Sequence, residues 1–333
     1  MGMAMQSRGM TALLFVLLAA TGLWLVLGSS RWQGAWARNG GFLAFNAAHA
    51  PGNDRPEAAQ RAVERLERAV RLDPTPPSPW RVLGYAHLAL GQVDEAVAVW
   101  QYAPHMATEL IAVGEQAQAA GHTAEALDWY RRATVVAPQD PDSWLALGQA
   151  YEDQDDEAAA EQTYQAGIAA QTAASAANSD LYYRLAHIYA NRPQPTDDAA
   201  ILAAVDRAIQ IDRFVHDWSR VQSHYLRGMA LEGLGRKQEA MIEFQQAADQ
   251  LPDPYWPLVH LGQLSWSLNG DAAAAEGYLR AALETNDGDK WAYLALAEVY
   301  WNTDRRADAV ELYRAVLRLD ERDPTATSRL GEH

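Results

Sequence analysis

The residues that could carry out chemistry are sparse and badly spaced for it. Nine histidines fall at positions 49, 87, 105, 122, 187, 216, 224, 260 and 333, and no two stand four apart as a helical metal site requires. Asp153, Asp155 and Glu157 alternate like the start of a calcium loop, but Ala158 occupies the place of the obligatory glycine. They read as an acidic turn between two helices. The 333-residue chain has no cysteine, which removes disulfides, thiol nucleophiles, iron–sulfur clusters and cysteine zinc sites. Neither a phosphate-cradling glycine loop nor an HExxH or G-x-S-x-G motif occurs. With 27 basic against 43 acidic residues the net charge is -16, which repels phosphate backbones and speaks against nucleic acid as a partner. What remains is binding. No catalytic residue, cofactor or metal is expected, and an enzyme is not the reading.

The side chains suited to binding recur with the chain's own period. Trp256 and Trp266 return 35 residues later as Trp291 and Trp301. Four indoles on one surface would form an apolar track with hydrogen-bonding edges. Packed between helices, the same four would be core.

The elements that must position them repeat as well. DEAVAVWQYA at 94–103, AEALDWYRRA at 124–133, QEAMIEFQQA at 238–247 and ADAVELYRAV at 307–316 share a small residue, a bulky one four later and usually another small one three after that. Those spacings place all three on one helix face. The first small position runs Ala62, Ala96, Ala126, Ala160, Ile201, Ala240, Ala274 and Ala309, in steps of 34, 30, 34, 41, 39, 34 and 35. In the seventh unit the bulky and second small positions are Tyr278 and Ala281. Twelve residues earlier (fifteen in the fifth unit) stand Gly84, Gly114, Gly148, Ala186, Gly228, Gly262 and Ala297. Small residues there allow two helix backbones to approach, while the bulky ones fill between pairs. Pro74, Pro138 and Pro252 end units where a helix must stop.

This pattern, with Trp80-Arg81-Val82-Leu83-Gly84 and Trp144-Leu145-Ala146-Leu147-Gly148 matching a W-x-x-L-G opening, resembles the tetratricopeptide repeat family over roughly residues 42–320. The resemblance implies an all-α fold, a right-handed superhelical α-solenoid of about eight helix–turn–helix units. They fall near 42–76, 77–106, 107–140, 141–178, 179–220, 221–254, 255–289 and 290–324, followed by a polar tail at 325–333. The first unit has a poor first helix and an extra Pro51–Asp54 loop. Insertions at 192–198 and 214–220 predict looser packing near 190–220.

The resemblance further implies that the first helix of each pair lines a concave groove. Carried over residue by residue, the groove holds Arg81, Tyr85, Glu115, Gln118, Gln149, Glu152, Tyr183, His187, Tyr225, Met229, Trp256, Trp266, Trp291 and Trp301. Trp80, Trp100 and Trp144 fall at packing positions instead. The groove's acids, Glu115, Glu152, Asp153, Glu232 and Glu298, outnumber Arg81, so an apolar or basic protein segment is the expected occupant. The lysine–asparagine pairing of carboxylate-clamp relatives is missing.

Residues 1–10 form a short tail, and Thr11 to Gly28 is uncharged. Eighteen helical residues span about 27 Å, close to the hydrocarbon thickness of a bilayer. This segment reads as a single-pass anchor, or as a signal peptide, followed by a juxtamembrane linker at 29–41. Arg8 before it and Arg31 and Arg38 after it leave the orientation nearly balanced. The preferred arrangement places the repeats outside the cytoplasm; the alternative has them facing it. The expected function is a membrane-tethered scaffold for protein–protein interactions in a bacterial envelope complex (assembly, secretion, cytochrome maturation or polysaccharide export). The alternative is a secreted or periplasmic binder of glycans or small ligands that uses the groove tryptophans.

Overall fold

The computed structural model describes residues 30–48, 56–171, 178–192 and 197–331. Among them every regular element is a helix. In chain order these are α1 (Ser30–Ala48), α2 (Pro56–Leu72), α3 (Pro77–Ala89), α4 (Val93–Trp100), α5 (Met106–Ala119), α6 (Thr123–Val136), α7 (Pro141–Glu152), α8 (Glu157–Ala170), α9 (Ser179–Asn191), α10 (Asp198–Ile211), α11 (Asp217–Gly233), α12 (Lys237–Gln250), α13 (Tyr255–Asn269), α14 (Ala272–Thr285), α15 (Lys290–Asn302), α16 (Arg306–Leu319) and α17 (Pro324–Gly331).

The chain divides between Ala150 and Tyr151 into two compact units. In the first, α1 packs on α2, α3 on α4 and α5 on α6. In the second, α8 meets α9. The pairs α9/α10, α11/α12, α13/α14 and α15/α16 then follow one another, and α17 closes on α16.

Each pair is closed by the small residue of its first helix. A Cβ on Gly84 would lie 2.1 Å from Trp100 Nε1. The Trp100 ring is fully buried there, and its Nε1–H donates to the Arg81 carbonyl at 3.0 Å. Tyr130 and Phe244 fill the same place over Gly114 and Gly228. Seven residues beyond the small residue the backbone turns through left-handed conformation at Gly91, Gly121, Asp155, Gly235 and Asp304. Glycine and aspartate tolerate that conformation best. The acidic stretch therefore has a local role. Asp155 makes the turn, and Asp156 caps α8 by accepting from the Ala159 N–H at 3.0 Å. A second device ties units together: the indoles of Trp80 and Trp144 donate to the carbonyls of Pro74 and Pro138, each at 2.9 Å.

Four expectations are corrected. Residues 30–41, expected as a linker, form the first part of α1, the first helix of the first pair. A Cβ on Gly41 would meet Leu66 at 2.5 Å, the close approach that a first helix makes. The register of α14 is one residue later than expected. Ala275, Leu279 and Ala282 are buried rather than Ala274, Tyr278 and Ala281. The cause is one extra residue before the turn, where Gly270 follows Gly262 by eight. The stretch between α10 and α11 is tied down, not loose. Ser179 Oγ donates to Ala208 O and accepts from Arg213 N, both at 2.8 Å, and Asp180 accepts from Val215 N at 2.7 Å.

The end of the chain is also ordered: 325–331 lie in α17 rather than in a tail. Asp323 caps that helix through the Ala326 N–H at 3.0 Å, and Lys290 Nζ grips Asp320 and Asp323 at 2.6 and 2.8 Å. Ala326 is fully buried, and Arg329 joins Glu298 through two hydrogen bonds of 3.1 Å. The apolar segment at 11–28, the Pro51–Asp54 loop and residues 193–196 of the 192–198 insertion lie outside the described residues. No helix among the described residues is long and apolar enough to cross a membrane.

Candidate partner-binding face

In the first unit, the expected groove residues are tied to neighbours along the first helices. Arg81 on α3 pairs with Glu109 on α5 at 2.8 Å. Tyr85 sits edge-on to Trp100 with ring centroids 5.1 Å apart, and burial followed by the Glu109 charge raises its pKa. Gln118 accepts from the Tyr130 hydroxyl at 2.9 Å. Glu115 is exposed, and Gln149 on α7 is half-buried.

The second unit carries a face of the same kind along α9, α11 and α13. Glu152 accepts from the Tyr164 hydroxyl at 2.9 Å and from Arg184 at 3.1 Å. The Arg184 guanidinium also lies 5.5 Å from the Trp218 ring centre. Tyr183 stands edge-on to Trp218 at 5.4 Å, and the His216 ring stacks with Trp218 at 6.1 Å between centroids. Burial pushes the Tyr183 hydroxyl up to about 12. Burial lowers the pKa of His187 despite the nearby Glu152, so the ring favours its neutral form. On α11, Tyr225 packs against Phe244 and His260, and burial, with Glu232 adding, lifts its hydroxyl to about 12. Met229 packs into the core cluster around Phe244. His260 hydrogen-bonds Glu232 at 2.8 Å and stacks flat on Phe244 at 4.6 Å.

The four paired tryptophans separate into two kinds. Trp266 and Trp301 pack against the core formed around Leu279, Leu296 and Tyr313. Trp301 is further enclosed by Arg306 and Arg329, each 5.2 Å from its ring centre. Trp256 and Trp291, the second residues of α13 and α15, are 42% and 47% exposed. Trp218, the second residue of α11, is 46% exposed and joins them. Among the described tryptophans only these three are exposed. The sequence reading missed Trp218 because α11 begins one turn earlier than its counterparts. Its separation of ten from Gly228, against six for Trp256 from Gly262, was the available signal.

The acidity expected of the groove is largely answered from within. Glu152 pairs with Arg184, Glu232 with His260 and Glu298 with Arg329. Burial opposes ionisation of Glu298, yet Arg329 and the Tyr313 hydroxyl hold its pKa below the ordinary carboxylate range. Among the described residues no group of three or more histidine, aspartate or glutamate side chains is arranged to hold a metal.

Helix pairs closed on a small residue, turned through one left-handed residue and presenting side chains along their first helices define a helical-repeat binding protein. Family models described as tetratricopeptide repeat match residues 54–107, 114–177, 221–250 and 268–328, together more than half of the chain. The chain belongs to the tetratricopeptide repeat family. Its fold is similar to that of a chain in the APC/C hetero-tetramer Cut9–Hcn1 (15% identity, TM-score 0.51, covering 82% of this chain and 52% of that one). This chain thus spans about half the length of that one. It is also similar to PilF of Pseudomonas aeruginosa (13%, TM-score 0.54, 68% and 97%). A third likeness is to PilW, a widely conserved type IV pilus biogenesis factor (11%, TM-score 0.52, 68% and 100%). At these identities the likeness is one of fold. No curated protein matches the sequence.

Proposed function

We propose that this protein is a non-enzymatic scaffold, tethered to a membrane through residues 11–28, that holds a protein partner along its first helices. The observation that carries the reading is the exposure of Trp218, Trp256 and Trp291 at the starts of three successive first helices. An exposed indole costs free energy in water and is the side chain most used as an interface anchor. Because Glu152 and Glu298 already have arginine partners and Glu232 is hydrogen-bonded to His260, the face favours an apolar segment over a basic one. The apolar run supports the tether, and the fold shared with PilW, a pilus biogenesis factor, supports a place in an envelope assembly complex; the repeats are placed outside the cytoplasm because the ten-residue tail before the run most simply stays inside.

Protease treatment of intact spheroplasts tests the topology: a full-length, membrane-bound chain degraded from outside is expected, and protection until lysis would reverse the orientation. A shortened soluble product would favour the secreted ligand-binder. For the face, crosslinking in intact cells compares the native chain with Trp218→Ala, Trp256→Ala and Trp291→Ala combined. The triple variant should lose its crosslinked partner at an unchanged melting temperature. Trp266→Ala with Trp301→Ala should lower the melting temperature instead. Undiminished crosslinking in the folded triple variant would refute the face.

A further inference from the structure

The chain's charge is divided unevenly, and the division follows the fold. Residues 29–73 hold seven arginines and five acids, while residues 74–333 hold 19 basic and 38 acidic residues. The positively charged part is the pair α1/α2, which begins two residues after the uncharged run ends at Gly28.

Within that pair the arginines are ordered. Arg61, Arg65 and Arg68 stand at i, i+4 and i+7 of α2, so they form one ridge, and all three are exposed. Glu57, Glu64 and Glu67 lie on the adjacent strip, where Glu67 engages Arg71 at 3.3 Å. The ridge adjoins α1: Arg65 donates to the Gly40 carbonyl at 3.1 Å. Neither Arg61 nor Arg68 meets a carboxylate among the described residues. The two helices run antiparallel, since Gly34 faces Asp73 while Gly40 faces Arg65. The ridge therefore advances toward the start of α1, where the apolar run ends.

No other second helix repeats this arrangement. At the place of Arg61 stand Glu95, Glu125, Glu239 and Asp308 in four of the other units, and the remaining three have alanine. Repeat packing does not call for arginine there, because the core needs only the neighbouring Ala62, Leu66 and Ala69.

We infer that the Arg61–Arg65–Arg68 ridge lies against the anionic headgroups of the membrane in which residues 11–28 are anchored. This rests on the tether reading. Arginines near an anionic surface each strengthen attachment about fivefold. The attraction fades within a Debye length of roughly 8–10 Å, so the pair must lie along the surface for all three to act.

The absence of cysteine makes the test direct. The full chain with Glu64→Cys carries a spin label and is reconstituted in phosphatidylcholine vesicles, or in vesicles with a third of that lipid replaced by phosphatidylglycerol. A nickel chelate on the lipid headgroups reports how near the label lies. Relaxation should be at least twofold stronger in the anionic vesicles. That gain should vanish at high salt and in Arg61→Gln plus Arg68→Gln. Equal relaxation in both lipids, or a gain untouched by the double variant, overturns the ridge. Flotation with neutral vesicles separately reads the anchor. If the chain fails to float there, the tether reading fails alone. The ridge must then show as flotation on anionic vesicles only, weakened about 25-fold by the double variant, and its failure to do so overturns the ridge as well.

Discussion

Glu243 is the clearest departure from repeat logic at the level of single residues. It is 6% exposed, hydrogen-bonded to His224 at 2.7 Å and paired with Arg227, which also holds Asp206 at 2.6 Å. Burial works against its charge, but the His224 hydrogen bond and the Arg227 charge outweigh it and hold the pKa below the ordinary value. A depressed carboxylate adds stability above its unfolded pKa, about 4.3, and loses it as pH falls through the folded value. Glu243→Gln should therefore cost about 1–3 kcal/mol at pH 7, and in urea melts the gap from the native chain should begin to shrink only as pH falls below about 4.3 and go on shrinking as it drops through the lower folded value. The cluster was partly legible beforehand. Position 243 is apolar or small in most units, with Val99, Trp129 and Ala204 in equivalent places, so an acid there breaks the pattern. The tryptophans show the opposite limit. Their types and spacing were legible, but Trp301 is covered by Arg329 from α17, a helix the sequence reading did not place.

Among the elements, spacing revealed the pairs wherever it was constant and failed wherever a residue was added. In the first pair Gly41 precedes Ala62 by 21 residues rather than twelve, so α1 fell out of register with the motif and its glycines read as linker. The single residue added before Gly270 shifted the whole buried face of α14. Where spacing held, the close approach it implied is present. Gly84→Ala would drive a methyl into the Trp100 indole and should cost about 1–3 kcal/mol. The control is Gly277→Ala, on α14, where a Cβ would meet nothing within 4 Å. It should gain about 0.5–1 kcal/mol from helix propensity. Paired urea titrations of the two variants check both signs.

For the molecule as a whole, the family was legible because eight imperfect copies reinforce one another, although no single copy is persuasive. The ends were less so, because α1 departs furthest from the motif's spacing and α17 lies beyond its last copy. The last pair is covered by α17. Without it, the indole of Trp301 and the apolar surface around Tyr313 and Val316 would be bare. A chain stopped at Asp323 would keep its pairs but offer water a flat, adhesive wall. Two such molecules would relieve it by meeting end to end, and sedimentation should find a dimer whose fraction rises with concentration. Pro324–Gly331 would thus be what keeps the apolar side of α15 and α16 from recruiting a second copy of the protein.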